Sequence, residues 1–240
     1  MTSTPYVRVA WAVLVMTVGL LALGLVLLPQ DRWLTLESVS QLVGNGLLGL
    51  ACSAVGILIV SRRPGNVIGW IFLLVPLVMA ASQVAGGYAS RSLPGFMWVA
   101  LLPDLLWIAV VPLGAMLVML LFPTGHLPSR RWRPVVWATV AATAAVVVAT
   151  ALMPGPVEYF PGLQNPLGLA GAGPVLDLVV QVGFLVMVVG VFAAAGSLIA
   201  RWRRARGVER QQLKWLAYAA VMLVVAQVGA SLLPARCFCA

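Results

Sequence analysis

Charge is what this chain has least of. Charged residues make up 9% of its 240 positions, acids number six against fifteen lysines and arginines, and histidine occurs once, at His126. With 62% hydrophobic residues and a mean hydropathy of +1.04, the composition excludes an ordinary soluble domain and specifies an all-α integral membrane protein. Three cysteines, Cys52, Cys237 and Cys239, are too few for a disulfide framework, and Cys237 with Cys239 lacks the further ligands a metal would need. Cys237-Phe-Cys-Ala formally matches a prenylation box, but it falls on the outer side of the map derived below. The sequence has no glycine-rich phosphate loop, no nucleophile elbow and no metal-binding pair, which argues against an enzyme and leaves no cofactor to expect. The net charge of +9 is carried by short clusters between apolar runs. Because these form no continuous stripe, they read as contacts to anionic lipid headgroups and as topology signals, and nucleic acid is not an expected partner.

What fills the chain is a series of about seven apolar runs of bilayer length: residues 9–28, 41–60, 67–88, 97–122, 135–153, 175–200 and 215–233. The first is longer than a secretory h-region and lacks a small-x-small cleavage site, so it should stay attached. The second carries Gly44, Gly46, Gly49, Ser53 and Gly56, small residues that let helix backbones approach where lipid supplies no hydrophobic drive. Pro103 and Pro112 predict a bent fourth span. The fifth, rich in Ala, Val and Thr, suits an interior helix packed on all sides. Between it and the sixth lies a segment of five prolines and no basic residue, PGPVEYFPGLQNPLGLAGAGP, which predicts an irregular lid without strands. Residues 1–233 thus form one polytopic domain, and residues 234–240 a short tail.

Arginine placement orients the bundle. Residues 201–214, RWRRARGVERQQLK, oppose six basic residues to a single acid. With that loop on the cytoplasmic side, alternation also places there Arg8, Arg62, Arg63, Arg130, Arg131 and Arg133 beside Arg201, Arg203, Arg204, Arg206, Arg210 and Lys214. Only Arg32, Arg91 and Arg236 remain outside, so the positive-inside bias puts the amino terminus inside. Trp33 and Trp98 near outer ends, and Trp70, Trp132, Trp137, Trp202 and Trp215 near inner ends, fit aromatic belts.

Three cytoplasmic motifs, SRRPGNVIGW (residues 61–70), LFPTGHLPSRRWRP (residues 121–134) and RARGVERQQLKWLAYA (residues 204–219), together resemble the membrane sensor region of histidine kinases of high-GC Gram-positive bacteria. The resemblance covers about residues 50–220, with Val67 where proline and His126 where arginine is expected. It implies a multi-pass module of a two-component system in the plasma membrane, a homodimer, and a separate kinase or output protein as partner. The kinase core of that family has no counterpart here, so no catalytic residue carries over. The odd span count and the unpatterned tail ARCFCA favour a truncated gene product over a free-standing subunit.

Few residues are candidates for chemistry. Asp104 is an acid within a span, an expensive placement that marks a functional site by default, though a position near the outer interface, where Pro103 loosens the backbone and water can reach it, accounts for it without a function. Asp177, in the first turn of the sixth span, suits the positive end of the helix dipole. Gln181 follows it by four residues, and with Glu158 and Tyr159 the two residues form a candidate sensing pocket under the lid. A small transporter or channel subunit is the alternative, its path lined by Asp104, Asp177, Gln181 and Asn45.

Overall fold

A computed structural model describes residues 5–27, 46–158 and 160–204, together with positions 211 and 218. The predicted seventh span apart from position 218, and Arg206, Arg210, Lys214, Tyr159 and Asn45, lie outside the described residues. The helices are α1 (Pro5–Leu27), α2 (Leu48–Arg62), α3 (Val67–Ser90), the single turn α4 (Phe96–Val99), α5 (Leu102–Leu121), α6 (Arg133–Leu152) and α7 (Gly173–Arg204). Strands β1 (Pro156–Val157) and β2 (Phe160–Gln164) lie between α6 and α7.

Among the described residues, five helical segments are long and apolar enough to cross a bilayer, α4 and α5 counting as one, and α2 is a shorter apolar helix. Their outward faces carry Val15, Val26, Leu185 and Phe192, large apolar side chains that only a lipid environment accommodates in such number. This is a multi-pass helical membrane protein.

Helix α3 is the central post, packed against α1, α2 and α5. Asn66 starts it, its side chain accepting from Ile68 N at 3.0 Å, while Trp70 Nε1 reaches back to donate to Pro64 O at 3.1 Å. The SRRPGN turn is therefore closed by the residues that follow it. The line Ala10, Thr17, Gly24 on α1 is spaced by sevens and buried, giving a narrow seam of small side chains, with Gly24 against Gln83 of α3. The packing role expected for the second span holds at Gly49, Ser53 and Gly56, which face α3 or are buried; Gly46 is buried too, though no atom lies within 4 Å of a Cβ added there.

Helices α5, α6 and α7 form the other half of the bundle, joined to the first through α3 and α5. The α6–α7 contact is the tightest: a Cβ added at Gly183 would lie 2.2 Å from Val146 Cγ2, and one at Gly190 2.4 Å from Thr139 Oγ1. The facing stripe on α6, Thr139, Thr143, Val146 and Ala149, is its only buried face. Trp137 on another face is 70% exposed, so the expectation of an interior fifth span is corrected. Apolar side chains toward lipid and toward protein look alike in a sequence, because the two surroundings are equally apolar.

Three further expectations change. The fourth span is not one bent helix: α4 and α5 are separated at residues 100–101, and Pro103 opens α5, where its missing N–H costs nothing. The proline-rich segment is not strandless, since β1 and β2 pair antiparallel with Val157 opposite Phe160. Helix α7 begins at Gly173, with Pro174 at its second residue, so Asp177 lies beyond the first turn rather than in it.

The two ends differ in charge. At one end Gly125 sits against Asn66, bringing residues 61–66 beside the loop after α5, and Arg201 reaches Met119 and Phe122 there. Arg62, Arg63, Arg130, Arg131, Arg133 and Arg203 are exposed at this end. The opposite end holds Asp104, Glu158 and Asp177, every acid among the described residues.

Candidate ligand cleft

At the acidic end a cleft of about 490 Å³ opens between α5, the end of α6, the hairpin and α7. Each element contributes for a local reason. Pro103 starts α5 so that Asp104 falls in its first turn, where the positive end of the helix dipole favours a carboxylate, and Trp107 and Ile108 follow one turn on. Thr150 and Met153 come from the last turn of α6 and the residue after it, and Val180 and Phe184, four apart, from one face of α7. Glu158 sits in the turn directly after β1.

The hairpin is held by Asn165. Its Nδ2 donates to Ala151 O at 3.0 Å and to Met153 O at 2.8 Å, closing the carbonyl end of α6, while its own N donates to Gly155 O at 2.8 Å. Its Oδ1 accepts from Leu167 N at 2.9 Å. This side chain fixes where Glu158 stands.

Asp104 is half-buried and Glu158 exposed, and among the described residues no basic side chain lines the cleft. Neither carboxylate has a salt bridge or hydrogen bond among the described residues. The remaining lining is apolar or aromatic apart from Thr150. Below, Ile108, Val146 and Met187 form a buried cluster with Val180 and Phe184 against it, so the cleft has a closed floor. Two carboxylates fall short of a metal site, and no group of three or more potential ligands occurs among the described residues.

The grouping differs from the one expected. Glu158 shares its cleft with Asp104, not with Asp177 and Gln181. The latter pair is exposed and bonded to itself, Gln181 Nε2 donating to Asp177 Oδ2 at 3.2 Å. Neither is among the described residues that line the cleft. Trp107, Phe184 and Asn165 were not singled out by the sequence; for Asn165 the Asn-Pro turn signal was there to be used.

Arg201, expected as a topology and headgroup residue, is half-buried, and its guanidinium also donates to Met119 O at 2.5 Å, to Phe122 O and to Ser197 O, closing the carbonyl end of α5. Arg91 does the same for α1 at the other end, donating to Val26 O at 2.6 Å and Leu27 O at 2.9 Å.

The fold and cleft thus define a multi-pass helical membrane protein with a blind, acid-lined cleft at one end. No protein-family model, curated protein or solved structure matches the chain.

Proposed function

We propose that this chain is the membrane sensor module of a two-component system, without catalytic activity of its own, seated in the plasma membrane with its amino terminus inside. Residues 215–233 would supply a seventh span. The stimulus is taken up in the cleft at the outer end and passed to the arginine-rich inner end, where a separate kinase or output protein receives it, the module working as a homodimer. One observation carries this reading: α7 contributes Val180 and Phe184 to the cleft wall and Arg201 to the opposite end. A rigid helix of 32 residues that touches both sites can convert a change in the cleft into a displacement at Met119 and Phe122. The exposed arginines around that end suit anionic headgroups, each worth about 1 kcal/mol near the surface.

A small transporter or channel subunit is the second reading; among the described residues a path onward from the cleft would have to part Ile108, Val146 and Met187. Transcript profiling under envelope stress tests the choice, comparing cells with the parent gene, a deletion and Asp104→Asn. A sensor gives a discrete set of transcripts that responds only with the parent. Identical profiles in all three strains, with solute uptake lost in the deletion, would overturn it.

A further inference from the structure

Resting on the reading of the cleft as the sensing site, its chemistry narrows the ligand class. We infer that the cleft binds a monovalent lipophilic organic cation, a quaternary ammonium or phosphonium, with its charge between Asp104 and Glu158 and its apolar groups on Trp107 and Phe184.

An anion meets two carboxylates and, among the described residues, no basic group. A neutral apolar molecule would cover both carboxylates and leave them without a partner, which costs several kcal/mol for a desolvated charge. A small inorganic cation keeps a tightly held shell of oxygen ligands, and beyond two carboxylates and one threonine hydroxyl the described lining is apolar, so most of that shell would have to be water held against an apolar wall. What fits is a cation that brings its own apolar substituents, so that Ile108, Met153 and Val180 are covered without stripping a tightly held hydration shell. Trp107 and Phe184 add aromatic faces, to which a cation lacking N–H groups is still attracted. The cleft volume of about 490 Å³ lies within the range that encloses a molecule of drug size. Glu158, exposed in the hairpin turn, is placed to draw the cation from solvent, and Asp104, deeper, to hold it.

Radiolabelled tetraphenylphosphonium is the probe, measured by equilibrium dialysis against the full chain in nanodiscs of zwitterionic lipid. The parent should bind one cation per chain, saturably. Asp104→Asn and Glu158→Gln should each weaken binding about tenfold, and the pair of changes about a hundredfold, the effect of removing a partly screened charge. Asp177→Asn, outside the cleft, should bind as the parent does. Tetraphenylborate, of the same shape and opposite charge, should not compete. Parental binding in the folded double variant, or equal competition by the borate, would mean partition into apolar surface and would overturn the inference. If that happens while transcripts still depend on Asp104, the cation site falls and the sensor reading stands; binding lost in the variants with transcripts indifferent to them removes the sensor reading and keeps the site.

Discussion

Arg201, near the end of α7, donates a hydrogen bond from its guanidinium to the main-chain carbonyl of Phe122, 79 positions earlier, just past the end of α5. With the bond to Met119 O, one side chain closes the carbonyl end of a neighbouring helix, so its geometry matters and not only its charge. Arg201→Lys keeps the charge but cannot present the planar fork. It should lower stability by about 1.5–3 kcal/mol, nearly as much as Arg201→Gln, while leaving the topology unchanged. Thermal unfolding in detergent reads this, and a lysine variant as stable as the parent would return Arg201 to a plain topology signal.

Gly183 and Gly190 define the α6–α7 seam. Gly183→Leu must push Val146 aside and should destabilise by about 1–3 kcal/mol or more, whereas Gly196→Ala, where no atom lies within 4 Å of the added Cβ, should be near neutral. Comparing the two unfolding midpoints in detergent checks the seam directly.

How far the sequence could be read follows from which physical constraints are local. Bilayer thickness acts on each segment alone, so α3 and α6 start and stop, and α7 starts, within about two residues of the limits their apolar runs suggest. Proline and glycine punctuation is local too, yet its reading was incomplete. Pro103 and Pro174 start helices instead of bending or delaying them, and Asn165 turns a proline-rich lid into a pinned hairpin. The pairing of Asp104 with Glu158 was not legible, because it depends on how α5, α6 and α7 pack. Nor was the lipid exposure of Trp137, since nothing in an apolar segment distinguishes lipid from protein as its neighbour.

Sidedness is open to a direct chemical check. With Cys52, Cys237 and Cys239 replaced by serine, single cysteines at Ser92 and Gly162 should react with a membrane-impermeant maleimide in intact cells. Cysteines at Gly65 and His126 should react only after permeabilisation, because both loops lie at the end that carries Arg62, Arg63, Arg130 and Arg131. The opposite pattern would invert the proposed orientation and place the cleft on the inside.

The hairpin supplies the last prediction, because Asn165 links stability to ligand capture. Its side chain holds the carbonyls of Ala151 and Met153, and its backbone holds Gly155, so the segment bearing Glu158 is anchored at its base as well as by the Val157–Phe160 pairing beside its tip. Asn165→Ala leaves two carbonyls at the end of α6 without this donor and should cost about 1–3 kcal/mol. The loss should be local: limited proteolysis should cut faster within residues 154–172 while the helices stay intact. Tetraphenylphosphonium affinity should fall severalfold, since Glu158 would no longer be held at the mouth, whereas Asp104 on its helix would keep the remainder. Asn165→Asp tests the same contact from the other side: it retains the oxygen that accepts from Leu167 N but removes both donations, and should therefore behave like the alanine variant. If Asn165→Asp instead matched the parent in both protease resistance and affinity, the hairpin would be held by its strand pairing alone.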